Sequence, residues 1–199
     1  MHPSAMANGK IFFDNYSHIF SSEEITTVLD IGSQDINGSL KGVCPAHFNY
    51  IGVDFQEGNN VDVILDDPYK LPFADNSVDI VLSSSCFEHS AMFWLVFLEI
   101  LRVLKPKGLF YLNAPSRGNV HRFPVDCWRF FPDAGLALGV WGKRNNFNCV
   151  VSESYIQKFG WQDFVCVFLK DEKYIDKLTK RILDSKTDVE NGYVFRPGV

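Results

Sequence analysis

Val28-Leu-Asp-Ile-Gly-Ser33 and Leu71-Pro-Phe-Ala-Asp-Asn-Ser-Val-Asp-Ile-Val-Leu-Ser83 are the stretches whose reading decides the fold. The first is a short apolar run that meets a carboxylate and a glycine and then opens into polar residues. The second is a proline turn followed by another apolar run that ends in hydroxyls. Short aliphatic and β-branched runs bounded by Gly, Pro and Asp read as buried strands. Two such strands with ligand-competent ends predict a binding crevice along the carboxyl edge of one parallel sheet.

Outward from these stretches the chain alternates strand and helix patterns. In 3–22, Ile11, Phe12, Phe13, Tyr16, Ile19 and Phe20 recur at roughly helical spacing and predict an amphipathic leading segment. Strands follow at 28–31, 49–54 and 61–65, with a glycine-interrupted loop at 35–44. Asp66-Asp67-Pro68 stops the third strand, because proline has no amide to continue a ladder. A fourth strand at 78–83 leads into a largely apolar helix at 91–104. Lys105-Pro-Lys-Gly108 ends that helix, and a fifth strand runs over 109–113.

Beyond Ala114 the pattern changes. Residues 115–132 are too rich in His, Arg and Trp for a plain connector, and loops of such length inside a compact domain are usually functional or disordered. A short helix at 133–141 and two antiparallel strands at 149–156 and 164–169 follow. The segment 171–185 reads as a charged terminal helix with a loosely held tail to Val199. The expected architecture is a doubly wound α/β fold. It has a mostly parallel seven-stranded sheet with an antiparallel last strand and helices on both faces. One domain spans 1–199: a leading helical segment 1–25, a cofactor-binding half 26–115 and an acceptor side 116–199.

Composition supports a substantial core. Of 199 residues, 46% are hydrophobic and 15% aromatic, with 18 Phe, and a chain of this size buries roughly 70% of the surface its unfolded form exposes. No apolar run approaches the roughly 20 residues of a membrane span. Met1-His-Pro-Ser-Ala-Met6 has no basic stretch followed by an apolar one, so a cytoplasmic protein is expected. The five cysteines are odd in number and widely spaced without C-x-x-C, which speaks against a disulfide framework or structural zinc.

Net charge is −5 but unevenly spread. Residues 1–100 hold 3 Lys/Arg against 14 Asp/Glu, whereas 105–144 hold 7 against 2. An acidic first half and a basic later segment suit ligands of opposite charge, a cationic one on the first half and an anionic one on the later segment.

Five words then stand in order over 26–115. They are Asp30-Ile-Gly32-Ser-Gln34, Asp54 at the end of the second strand, Asp66-Asp67 with Leu71-Pro-Phe, Phe87-Glu88-His89, and Glu99-Ile-Leu-Arg-Val-Leu-Lys-Pro-Lys-Gly108. Together they resemble the class I, Rossmann-like S-adenosylmethionine-dependent methyltransferases of the type 11 kind. The glycine loop departs from that family's acidic-x-Gly-x-Gly-x-Gly pattern, since Gln34 stands at the second glycine and the third is displaced to Gly38. The Gly-x-Gly-x-x-Gly fingerprint of nicotinamide enzymes is absent.

The resemblance implies S-adenosylmethionine as cofactor. Asp54, 22 positions past Gly32, is then expected on the ribose diol, as an acidic residue about 20 positions past the glycine turn is in dinucleotide folds. Asp30 is expected to orient the turn or meet the donor's ammonium, with Gly32, Ser33, Gln34 and Phe55 beside the donor. Asp67 or its neighbour Asp66 is expected to accept from the adenine amino group. Ser83 or Ser84 is expected to face the methionine portion.

Methyl transfer is an in-line displacement in which positioning supplies much of the rate, and a hydroxyl or amine acceptor can need a base. Candidate bases are His89, His121 and Asp126. The cluster Asn119-Val-His121-Arg122-Phe-Pro-Val-Asp126-Cys-Trp128-Arg129-Phe joins a base, two guanidiniums and an aromatic platform. Arg122, Trp128 and Arg129 are the expected acceptor-binding residues; the competing reading is aromatic packing with surface ion pairs. No Asp…Asp-Asn set follows the fourth strand, so no metal is expected. The basic stretch is short and no Asn-Pro-Pro-Tyr word is present, which disfavours nucleic acid. The expected function is methyl transfer to a small or sugar-containing anionic acceptor, at oxygen. The alternatives are an N-methyltransferase and a catalytically silent S-adenosylmethionine-binding protein, which Gln34 keeps open.

Overall fold

The computed structural model describes residues 2–20 and 24–197. Helix α1 (Pro3–Tyr16) precedes β1 (Thr27–Ile31), β2 (Asn49–Asp54), β3 (Val63–Ile64) and β4 (Val78–Ser84). Helix α2 (Phe93–Val103), strand β5 (Leu104–Pro115), helix α3 (Ala134–Arg144) and strands β6 (Val150–Gln157), β7 (Asp163–Leu169) and β8 (Val189–Val194) complete the order. All eight strands form one sheet, β3-β2-β1-β4-β5-β7-β6-β8. The first five are parallel; β7 runs antiparallel to β5 and β6, and β8 antiparallel to β6.

The central strands read as continuous apolar runs because both sheet faces are covered. Successive side chains alternate between the faces. Leu109 and Tyr111 of β5 pack with Ile80 and Leu82 of β4 and with Phe12, Phe13 and Tyr16 of α1. Phe110 and Leu112 point the other way, with Val81 of β4 and with Phe97, Ile100 and Leu101 of α2. After β1 the chain moves outward through β2 and β3, then returns to the other side of β1 as β4. That reversal opens a crevice at the carboxyl ends of β1 and β4. Among the described residues no helix is long and apolar enough to cross a membrane.

The doubly wound α/β class holds, with eight strands rather than seven. The eighth comes from the tail that the sequence left loose. Glu190, Asn191 and Gly192 are exposed, so Val189–Val194 lacks the apolar alternation of a half-buried strand and forms by pairing on the edge of β6. The charged terminal helix over 171–185 is replaced by 3-10 turns at Glu172–Lys177 and Ile182–Asp184. Side chains take the backbone groups a helix would use. Asp171 accepts from the Lys173 amide, Asp184 from the Arg181 amide, and buried Glu153 from the amides of Ile182 and Leu183 at 2.9 and 3.0 Å. Glu153 also accepts the Tyr16 hydroxyl, tying α1, β6 and this segment together.

Strand β5 begins directly after α2, earlier than the sequence placed it. Pro106 biases Lys105 toward extended backbone, and Lys105 ion-pairs with Asp79 of β4 at 2.8 Å. The register shifts between Val78 and Ile80 to absorb the extra residues.

Candidate active site

The crevice is a cavity of about 830 Å³. One wall is built from the strand ends: Gly32, Ser33 and Gln34 after β1, Asp54 and Phe55 at the end of β2, and Ser84, Ser85 and Cys86 at the end of β4. Leu65, Pro68 and Tyr69 lie along it. Another wall comes from Glu88 and His89 in the 3-10 turn Phe87–His89, from His121 to Val125, and from Trp161. His2 and Pro3 at the start of α1 also reach the cavity.

The loop after β1 stays close to β2 instead of launching a helix. The amides of Gly32 and Ser33 donate to Val53 O, and the Asp35 amide donates to Asn59 O at 2.9 Å. Gly32 has φ +79°, and a β-carbon there would meet the Cys86 Sγ at 2.5 Å. Glycine is thus required by the backbone turn and by Cys86, two residues past the end of β4. Gln34 contributes its backbone amide to Asp54 Oδ2 at 3.1 Å, while its side chain reaches Glu57 O at 3.4 Å. Asp54 Oδ1 accepts the Phe55 amide at 2.8 Å. A buried carboxylate is thereby fixed at the cavity wall.

Asp30 is buried behind this wall, where it accepts the Tyr50 hydroxyl. Burial pushes its carboxyl up to about 7, with the Asp54 charge adding in the same direction. Ser83 and Ser84 are buried, and Ser84 alone of the two lines the cavity. Asp66 and Asp67 are exposed and outside the lining; Asp67 accepts the Tyr69 amide at 2.8 Å. Tyr69, which that turn presents, does line the cavity.

Across the cavity, the loop following β5 docks on the 87–89 turn. The amides of Cys127 and Trp128 donate to the Glu88 backbone carbonyl at 2.7 and 3.2 Å. Gly118 has φ +115°, and a β-carbon would strike the Trp161 ring at 2.4 Å, so the loop packs closely on the turn after β6. His121 and Arg122 line the cavity; Asp126, Trp128 and Arg129 do not. Asp126 accepts the His121 amide at 2.7 Å and ion-pairs with Arg129 at 2.5 Å. The guanidinium holds the Asp126 carboxyl far below the usual carboxylate range. Trp128 donates Nε1–H to Ser90 O at 2.9 Å and packs edge-on to Phe93 and Trp94. Its indole braces the loop.

His89 and His121 meet edge to face with ring centroids 5.0 Å apart. Nδ1 of His89 lies 2.5 Å from Val125 O, which as an acceptor fixes the proton on Nδ1 and leaves Nε2 bare. Burial lowers the His89 pKa, favouring the neutral ring. Glu88 is 1% exposed, and neither carboxyl oxygen has a hydrogen-bond partner. Burial pushes its carboxyl up to about 8. Glu88, Cys86, Tyr69 and Trp161 were missed as site residues in the sequence. Glu88 and Cys86 flank the quoted Phe87, but nothing in a one-dimensional pattern marks a carboxyl as unpaired.

With this geometry in view, the architecture is that of the class I S-adenosylmethionine-dependent methyltransferases. Residues 30–112, somewhat less than half of the chain, match the family model described as a methyltransferase domain. An uncharacterised methyltransferase of Mycobacterium tuberculosis is 56% identical over 43 residues, 22% of this chain and 17% of the relative. The same figures hold for an uncharacterised methyltransferase of Mycolicibacterium gilvum. The chain thus spans about a sixth of the length of these curated relatives.

A solved methyltransferase from Archaeoglobus fulgidus described as S-adenosylmethionine-dependent superposes with a TM-score of 0.60 at 16% identity, covering 82% of this chain and 93% of its own. The 1,6-didemethyltoxoflavin-N1-methyltransferase of Burkholderia thailandensis, solved with 1,6-didemethyltoxoflavin and S-adenosylhomocysteine bound, gives 0.59 at 17% identity, covering 84% and 79%. At such identities the likeness is one of fold.

Proposed function

We propose that the protein transfers a methyl group from S-adenosylmethionine to the oxygen of a small or sugar-containing anionic acceptor. The observation that carries this reading is the cavity at the β1/β4 reversal with Asp54 fixed on its wall by the amides of Gln34 and Phe55. Its volume of about 830 Å³ lies toward the upper end of the roughly 300–1,000 Å³ of small-molecule sites, room for a donor and a modest acceptor together. The bound S-adenosylhomocysteine of the Burkholderia enzyme supports the same donor here.

In this reading Asp54 holds the ribose diol, and Gly32, Ser33, Gln34 and Phe55 surround the donor with Ser84 across from them. Asp30 sits behind the turn and acts through it, while Asp66 and Asp67 shape the turn that presents Tyr69. Arg122 and His121 meet the acceptor, Arg122 matching its negative charge. The bare Nε2 of His89 is suited to take the acceptor's proton as the methyl carbon leaves sulfur for oxygen. Asp126, Arg129 and Trp128 position His121 and the loop.

The test is turnover with labelled donor against a panel of sugar acids, phosphorylated sugars and small phenolic acids. Label transfer to oxygen that is lost in Arg122→Ala supports the reading. Transfer to nitrogen would make this an N-methyltransferase, as the Burkholderia enzyme's name describes for that protein. Donor binding without transfer to any panel member would favour a silent binder.

A further inference from the structure

We propose that Glu88, His89 and His121 form a binding site for one divalent transition metal ion of the zinc class, open on one side to the cavity. Each offers a ligand atom, and these atoms lie within 4.8 Å of one another. His89 Nε2 stands 3.8 Å from Glu88 Oε1. Ligands about 2.1 Å from a tetrahedral zinc sit roughly 3.4 Å apart. The closure needed is up to about 1.4 Å, and the partly exposed His121 side chain can supply its share by rotation.

Three independent features point to a cation. First, Glu88 lines the cavity, is 99% buried, and leaves both carboxyl oxygens without a partner. A buried carboxyl of that kind is costly unless something positive meets it. The nearby guanidinium of Arg129 gives both terminal nitrogens to Asp126, and its buried Nε makes no hydrogen bond to Glu88 or to any other group among the described residues.

Second, the surroundings of both imidazoles resemble those of metal ligands. Metal-binding histidines usually give their other ring nitrogen to a carbonyl or carboxylate, which fixes the tautomer and aims the free nitrogen. His89 Nδ1 is 2.5 Å from Val125 O. His121 Nδ1 is 3.2 Å from Asn119 O, 3.5 Å from Asp126 Oδ2 and 3.5 Å from Arg129 Nη2, with the shortest contact to the carbonyl acceptor. In each ring Nε2 is the atom left over.

Third, the donor set of two imidazoles and one carboxylate suits zinc or iron rather than magnesium or calcium, which prefer all-oxygen surroundings. Three protein ligands with a position open to the cavity are the arrangement of catalytic rather than structural zinc. If the methyl-transfer reading above holds, the open position takes the acceptor's oxygen and the ion polarises it. His89 Nε2 then serves as a ligand and not as the base; the ion lowers the pKa of the acceptor's hydroxyl, whose proton leaves to solvent before the oxygen takes the methyl group. No local ligand spacing announces this site in the sequence, because His121 lies 32 positions beyond His89 and only the fold brings the two together.

The experiment is a zinc titration of the purified chain against a chromophoric chelator, with cobalt(II) absorption as a second readout and S-adenosylmethionine calorimetry on the same samples. The expected result is one zinc per chain, weakened at least 30-fold in Glu88→Gln and in His121→Ala, with loss of the cobalt d–d bands. His121→Ala alters only a loop side chain, so it carries the test if Glu88→Gln fails to fold. Zinc affinity unchanged within threefold in His121→Ala, or abolished by Cys86→Ser with His121 intact, would overturn the proposal. Zinc binding without donor binding would leave this site standing and remove the methyl-transfer reading. Donor binding without zinc binding would remove this site alone.

Discussion

Replacing Asp54 with Asn keeps the side chain's size and removes its charge. Asp54 Oδ2 accepts one amide at 3.1 Å and Oδ1 accepts another at 2.8 Å. A carboxylate oxygen has two lone-pair sites; Oδ1 also accepts the Gln56 amide at 3.4 Å, so Oδ2 is the oxygen that retains a site for a ribose hydroxyl. Hydrogen bonds to a charged group contribute about 1.5–3 kcal/mol each. An amide keeps one accepting oxygen and turns an NH2 toward a donor, so one such bond is lost outright. A loss of about 2–3 kcal/mol corresponds to a Kd for S-adenosylmethionine weakened roughly 30- to 150-fold. Asp54→Ala removes the carboxyl group altogether and is expected to weaken binding further.

Water entering from the cavity can satisfy the freed amides, so the protein without donor should lose no more than about 2 kcal/mol, or roughly 4–8 °C in Tm. Calorimetric titration with the donor and with S-adenosylhomocysteine, paired with thermal melts, separates the two effects. Asp54→Asn that binds the donor within threefold of the unmodified chain, with its fold intact, would refute the ribose assignment.

Other outcomes are equally specific. Arg122→Ala should leave donor Kd within threefold and lower kcat/KM for an anionic acceptor about 10- to 100-fold; a matching loss of donor affinity would mean the loop only closes the donor site. Glu153→Ala removes the acceptor of the Ile182 and Leu183 amides and the Tyr16 hydroxyl, and should cost about 3–5 kcal/mol in urea unfolding, at about 1–3 kcal/mol for each buried donor left unsatisfied; a cost under about 1 kcal/mol would contradict that network. Asp30 takes up its proton at about 7 when folded against about 4 when unfolded. Its contribution to stability is therefore fully present below pH about 4 and is lost as pH rises to about 7, on the order of 4 kcal/mol in all. Melts from pH 4 to 8 should show this slope in the unmodified chain and a flatter one in Asp30→Asn; parallel curves would sink the argument. Gly118→Ala, at φ +115° and 2.4 Å from the Trp161 ring, should lower stability by about 1–3 kcal/mol, and an unchanged melt would show that the loop gives way.

Much of the fold was legible because strands buried on both faces write themselves as unbroken apolar runs: 28–31 and 78–83 fall where β1 and β4 lie. The terminal segment was not. Its 3-10 turns follow from Glu153, some thirty residues earlier on β6, reaching the amides of Ile182 and Leu183, a partnership no local pattern reveals. The cavity wall at Gly32, Ser33, Gln34, Asp54 and Phe55 was readable because strand ends dictate which residues meet a crevice. Asp66 and Asp67 look like binding residues in sequence, yet they sit on an exposed turn that presents Tyr69. Trp128 and Arg129 lie next to Arg122 in the chain but turn toward Ser90 and Asp126. Glu88 was invisible as a site residue because its distinction is the absence of a partner.

A crystal structure with S-adenosylhomocysteine bound tests the central claim most directly. The account expects the ribose hydroxyls within hydrogen-bond reach of Asp54 and the sulfur open toward His121 and Arg122. The product lying outside the β1/β4 crevice, or within it with Asp54 unengaged, would contradict it.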